Sequence, residues 1–142
     1  MRTSRVVALV LLCSAGGLGL AACGGDDSSS SGDDVSGVVW QLTELEGEPV
    51  PEGVTPTLEY DGTRISGSSG CNTYGGEASF DDGAVTIAPE LMSTLMACEP
   101  PASDVEAAFL TVLPTVTGFE VDGDTLSLSV DDDETLIFSS SS

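Results

Sequence analysis

The dipeptide Asp-Gly occurs three times, at Asp61-Gly62, Asp82-Gly83 and Asp122-Gly123, each between runs prone to extended structure. Asp-Gly suits the short turns whose twist matches antiparallel strands. The flanking runs are Thr57–Tyr60 and Thr63–Gly67, Glu77–Phe80 and Ala84–Ala88, and Thr117–Val121 and Thr125–Val130. Most show apolar residues at every second position, the period of a strand with one buried face. The pattern predicts an antiparallel meander. A first strand is expected over Val38–Leu45, where Val38, Trp40 and Leu42 share a face and Val39 and Leu45 break the alternation. A closing strand is expected at Thr135–Phe138, after a turn at Asp131–Asp133. Between the first strand and the meander, Pro49, Pro51, Pro56, Gly47 and Gly53 make Glu46–Pro56 a loop.

One segment departs from the strand rhythm. Pro100 and Pro101 precede Ser103-x-x-Glu106, the spacing of a capping box, and Pro114 ends the helical pattern. Val105, Phe109 and Leu113 recur at helical spacing, with Ala108 and Val112 beside them. This predicts one amphipathic helix, Asp104–Leu113, laid on the sheet. The fold class is therefore mainly β (α+β). Trp40, the only tryptophan, reads as a core plug rather than a stacking platform.

The ends carry a different message. Arg2 and Arg5 precede the uncharged stretch Val6–Leu20, about 15 residues where a spanning helix needs about 20. A positive flank, a short apolar run and small residues form a secretory signal. Its end, Leu20-Ala21-Ala22-Cys23-Gly24, resembles the lipobox of bacterial lipoproteins. The resemblance implies a signal peptide over residues 1–22, lost together with Cys13, and diacylglyceryl and acyl groups (such as palmitate) on Cys23. Two or more acyl chains anchor stably where one is marginal. Gly24–Ser36 is rich in Gly, Ser and Asp and has one apolar residue, so residues 23–36 read as a lipidated flexible tether. The expected division is then a domain over 37–139 and a tail over 140–142. The expected location is the extracytoplasmic face of the cell membrane. Asp26, Asp27, Asp33 and Asp34 lack the loop glycine and bidentate glutamate of a calcium site.

Charge bounds the partners. The chain has 24 acids, three arginines, and neither lysine nor histidine. Without Arg2 and Arg5, Arg64 alone balances the acids, leaving a net charge of −23. Such a surface repels nucleic acid and keeps the protein soluble. Nucleophilic catalysis by Ser or Cys lacks a base, and no carboxylate spacing singles out an acid–base pair. No phosphate-cradling loop or dinucleotide fingerprint is present. The expectation is no enzyme, no cofactor and no metal.

With Cys13 removed and Cys23 acylated, Cys71 and Cys98 remain in an oxidising compartment. A disulfide is the leading reading. Two buried free thiols and a metal site are the alternatives, the last poor because zinc asks for four ligands. Closing a loop of about 28 residues is worth roughly 3.5 kcal/mol in the chain-entropy account.

The whole pattern resembles the META domain (HslJ-like) family. The likeness spans Val38–Phe138 and rests on several groups of residues. Trp40 and Leu42 come first, then Arg64, Ser66, Gly67, Gly70, Cys71, Asn72, Tyr74 and Gly76. Thr94, Met96, Ala97 and Cys98 come next, with Glu106 and Phe109 in the helix. Leu126, Leu128, Leu136 and Phe138 close the pattern. Leu95 departs from it, standing where the family often has a polar residue or methionine. The resemblance implies a small, mostly antiparallel β-barrel-like sheet with one packed helix, and no catalytic residue. It is similar to envelope and stress proteins of ill-defined role, and in fold to secretin pilot lipoproteins that grip lipid or peptide.

The motif residues also have structural readings. Gly67, Gly70, Gly75 and Gly76 suit bends and close backbone approach, and Asn72 suits a side-chain bond to local backbone in a turn. Arg64 suits a partner carboxylate or carbonyl. Two functions fit: a protein-binding or envelope-maintaining module, or a carrier whose interior takes a lipid chain or other apolar ligand. They differ in whether Trp40, Phe80, Phe109, Phe119 and Phe138 fill the interior.

Overall fold

A computed structural model describes residues 30–141. The expected signal peptide, Cys23 and the start of the expected tether lie outside the described residues.

The strands are β1 (Val39–Leu45), β2 (Glu48–Pro49), β3 (Thr57–Tyr60), β4 (Arg64–Ser68), β5 (Thr73–Asp81), β6 (Ala84–Ile87), β7 (Met92–Ser93), β8 (Gly118–Asp122), β9 (Thr125–Val130) and β10 (Asp133–Ser140). Every ladder is antiparallel, and β10 returns to pair with β1, Trp40 facing Ser140 and Leu42 facing Phe138. Eight strands thereby close a barrel, while β2 and β7 are two-residue spurs on β1 and β5. The thinnest seam is β6–β8, a single Ala84–Gly118 pair. Bonds from Val85 N to Thr117 O (3.0 Å) and Phe119 N to Gly83 O (2.9 Å) reinforce it.

Alternation explains the inside. Leu58 and Tyr60, Tyr74 and Phe80, Val85 and Ile87, Leu126 and Leu128, and Leu136 and Phe138 all point inward, two residues or a multiple apart along their strands. The irregular first strand has a physical cause. The β1–β10 register shifts between Leu42 and Glu44, a bulge that leaves Thr43 and Glu44 both exposed and turns Leu45 back toward the core. Thr43 Oγ1 donates to Ile137 O at 3.0 Å within it.

Each barrel mouth has a plug. At one, α2 (Ala102–Val112), continued by a 3-10 turn Leu113–Thr115, seats Phe109 between Tyr74 and Phe138 at ring separations of 5.4 and 6.3 Å. At the other, the four-residue α1 (Gly32–Val35) inserts a fully buried Val35. The Val35 carbonyl accepts the Trp40 indole N–H at 3.0 Å, which satisfies the one polar atom of a side chain otherwise in the core. Tyr60, Phe80 and Phe119 stack edge and tilt nearby, with centroids 4.7 and 5.0 Å apart.

Three expectations need correction. The segment Ser30–Ser36, read as tether, is packed on the barrel: the Gly83 amide donates to Ser30 O at 3.0 Å and the Val121 amide to Ser30 Oγ at 2.7 Å. Its one apolar residue, Val35, has a mouth to fill. The expected tail also belongs to the sheet, since β10 runs to Ser140 and Ser141 N donates to Val39 O at 2.9 Å. The structured unit therefore exceeds 37–139 at both ends. Finally, α2 starts at Ala102 behind Pro101, with no side-chain cap, so Ser103 lies inside the helix and the capping box does not form.

Candidate functional site

The residues singled out in the central motif converge on one end of β5. The turn Ser69–Asn72 is closed by Ser69 N and Ser69 Oγ, both donating to Asn72 O, at 2.8 and 2.9 Å. This leaves the Asn72 side chain buried and aimed across the structure rather than at its own turn. Its Oδ1 accepts from Met96 N and from Thr94 Oγ1, at 2.6 and 3.0 Å. Its Nδ2 donates to Met96 O at 3.2 Å and to both Glu106 carboxylate oxygens, at 2.7 and 3.0 Å. A planar amide has two donors and two acceptor lone pairs, and here all are used. The expected local role for Asn72 is thus replaced by one that joins three segments. Glu106 explains the missing capping box: its carboxylate holds Asn72 instead of the helix start. Nothing in the spacing of Glu106 signalled that.

Cys71 and Cys98 form a disulfide with Cα atoms 6.1 Å apart. It lies beside Asn72 in sequence, so the segment from Met92 to Cys98 is held twice. Further bonds run from Thr73 N to Thr94 Oγ1 (3.1 Å) and Thr94 N to Thr73 O (3.0 Å), and β7 pairs Met92 with Gly75 and Ser93 with Tyr74.

A second cluster supports this end from below. Tyr74 Oη donates to Thr57 O at 2.7 Å, and burial pushes the phenol well above its ordinary range, so it stays a neutral donor. Gly67 lies against the same residue: a Cβ there would collide with Thr57 O and sit 2.7 Å from Thr57 C. Gly70, at φ +107°, takes a left-handed conformation with Val54 close by. Gly76 leaves room for Leu91, whose Cδ2 would stand 2.6 Å from an added Cβ.

Two motif residues lie elsewhere. Trp40 is the core plug described above. Arg64 is exposed on β4 opposite Glu77, and its amide, with that of Thr63, donates to Asp61 Oδ1 in the first Asp-Gly turn. The Thr63 and Arg64 amides hold the Asp61 carboxyl below its ordinary value, helped by the Thr63 hydroxyl and the Arg64 charge.

Three large apolar side chains of the clamped segment face solvent beside the exposed Thr94. Met92, Leu95 and Met96 are 75, 96 and 63% exposed. Leu95 departs from the family pattern, but nothing in the sequence marks it as exposed. Among the described residues no group of three or more metal-ligating side chains is assembled, and no helix is long and apolar enough to cross a membrane. The buried polar side chains there are Ser30, Ser69 and Asn72, besides the two buried tyrosines.

Comparison with known proteins agrees with this architecture. A protein from Burkholderia xenovorans solved by NMR shares 28% identity and a TM-score of 0.63, with 76% of this chain and 84% of that one aligned. A second NMR structure gives 23% identity and a TM-score of 0.60 over 75% and 92% of the two chains. The crystal structure of a DUF4847 family protein from Bacteroides vulgatus ATCC 8482 gives 17% and 0.55 over 74% and 93%. These last two likenesses concern the fold. No curated protein matches the chain. The META domain family model covers residues 33–142, from the α1 plug through the closing strand, and the chain belongs to that family.

Proposed function

We propose that the chain is a non-catalytic binding module on the extracytoplasmic face of the cell membrane, anchored by acyl groups on Cys23. The filled interior is the observation that carries the choice between module and carrier. Trp40, Phe80, Phe109, Phe119 and Phe138 are all at most 5% exposed, and both mouths are plugged. A carrier needs a continuous apolar cavity of several hundred Å³. Hollows of about 450 and 430 Å³ exist, but both are open: one lies over the outward-facing Glu77, Ser79 and Thr86, the other between Gly37–Trp40 and Ser140–Ser141. The absence of histidine and lysine from the sequence, and of any buried carboxylate among the described residues, favours binding over catalysis.

Anchoring rests on the lipobox-like Leu20–Cys23 and is read directly by mass. The mature N-terminal peptide should start at Cys23 and carry acyl mass, and Cys23→Ser should leave the membrane fraction. A peptide with an unmodified thiol defeats the anchor. Native mass spectrometry of the purified protein should show no bound lipid in the barrel; a stoichiometric lipid adduct on the domain would favour the carrier.

A further inference from the structure

We infer that the Met92–Met96 segment is a preformed docking knob for a partner protein whose contact face is apolar at its centre and ringed by lysine and arginine. The inference deepens the binding-module reading and rests on it. Single exposed apolar residues on a surface are ordinary, but three large ones within five positions of one clamped segment concentrate apolar surface there. The segment is also rigidly presented. Asn72 grips the backbone of Met96 from both sides, Thr94 is paired with Thr73, and the disulfide fixes the exit at Cys98. A loop ordered before binding loses little entropy on docking.

Charge selects the occupant. Exposed Glu90 and Glu99 flank the segment, and in the described residues Arg64 is the one cation. A second copy would bring the same acidic surface, and anionic lipid would be repelled. A cationic rim is attracted. Position agrees. The chain enters the barrel at Ser30, beside Gly83 and Val121, whereas the knob pairs with Thr73–Gly75 at the opposite end of β5. Those ends are about 26 Å apart at strand rise. An anchor upstream of Ser30 therefore attaches at the end of the barrel remote from the knob and leaves the knob free for a protein partner.

The test uses the full-length protein and a fluorescein-labelled amphipathic Leu/Lys peptide as probe, read by anisotropy at two salt concentrations. Leu95→Asp adds a negative charge while removing the apolar tip, so the two contributions move oppositely. Docking on the knob predicts at least about tenfold weaker binding for Leu95→Asp and for Met92→Ser, with melting temperatures unchanged. Equal or tighter binding by Leu95→Asp means charge alone and overturns the inference. In cells, a photo-crosslinker at position 95 should trap a heterologous protein through a Lys/Arg-rimmed face, and the adduct should vanish in Met92→Ser. Adducts to lipid, to a second copy, or none at all overturn it. A chain found outside the membrane fraction would instead remove the Cys23 anchor and leave the probe result standing.

Discussion

Asn72 and Glu106, 34 positions apart, are joined through one amide nitrogen that contacts both carboxylate oxygens, at 2.7 and 3.0 Å. The pair ties the glycine-rich turn to α2, and the oxygen of the same amide accepts from the Thr94 hydroxyl and the Met96 backbone amide. Removing the amide orphans several groups at once. Asn72→Ala should cost about 2–3 kcal/mol. Asn72→Asp, which sets a carboxylate against Glu106, should cost more than Glu106→Gln, for which about 1 kcal/mol is expected because an acceptor remains. Urea denaturation of the three variants checks the order. Equal stability of Asn72→Asp and wild type would show that the hub carries no weight.

The Cys71–Cys98 bond spans 27 positions. A double Cys→Ser variant should lose roughly 3.5 kcal/mol by the loop-entropy account. Because Asn72 and Thr73 still hold the segment, the loss should be in global stability more than in local order. Hydrogen exchange of the Thr94 and Met96 amides should speed up in step with the core strands. Selective acceleration at those two amides would mean that the disulfide alone positions the knob.

Gly67 combines a steric need with a conformational one, since its φ is +159° and it lies against Thr57. A Cβ would strike the Thr57 carbonyl that also accepts from Tyr74. Gly67→Ala should therefore destabilise by about 2–3 kcal/mol, since backbone cannot yield as a side-chain tip can. Gly62, at φ +102° with nothing near, provides the contrast. Gly62→Ala bears only the left-handed strain, about 1 kcal/mol. Thermal melts of the two variants suffice.

What the sequence revealed and what it hid divide along range. The Asp-Gly turns were readable because they answer a local backbone need: Asp82 and Gly83 both take positive φ, at 55° and 78°. The strand positions of Leu126, Leu128, Leu136 and Phe138 came from period two. Closure of the barrel by Trp40–Ser140 pairing, the fold-back of Val35 and the Asn72–Glu106 bond depend on which distant groups compete for a partner. No spacing encodes that. The capping box failed for the same reason: a buried amide from 34 positions away won Glu106. At the candidate site the sequence marked Asn72, Thr94, Met96 and the cysteines, but not the face that they present to solvent.

The first Asp-Gly turn makes a pH-dependent prediction. Two amides and a hydroxyl donate to Asp61 Oδ1, and they hold its carboxyl below the ordinary 3.8. A carboxyl whose folded value is depressed stabilises the fold above its unfolded value and loses that contribution as pH falls through the folded one. The advantage of wild type over Asp61→Ala should thus be constant from pH 7 down to about 4, then shrink toward pH 2. Urea midpoints of both proteins across this range give the comparison. The full exposure of Asp61 keeps the effect small and salt-sensitive. An advantage that stays flat to pH 2 would place the turn's stability in the geometry of the Asp-Gly backbone, not in the ionised carboxylate.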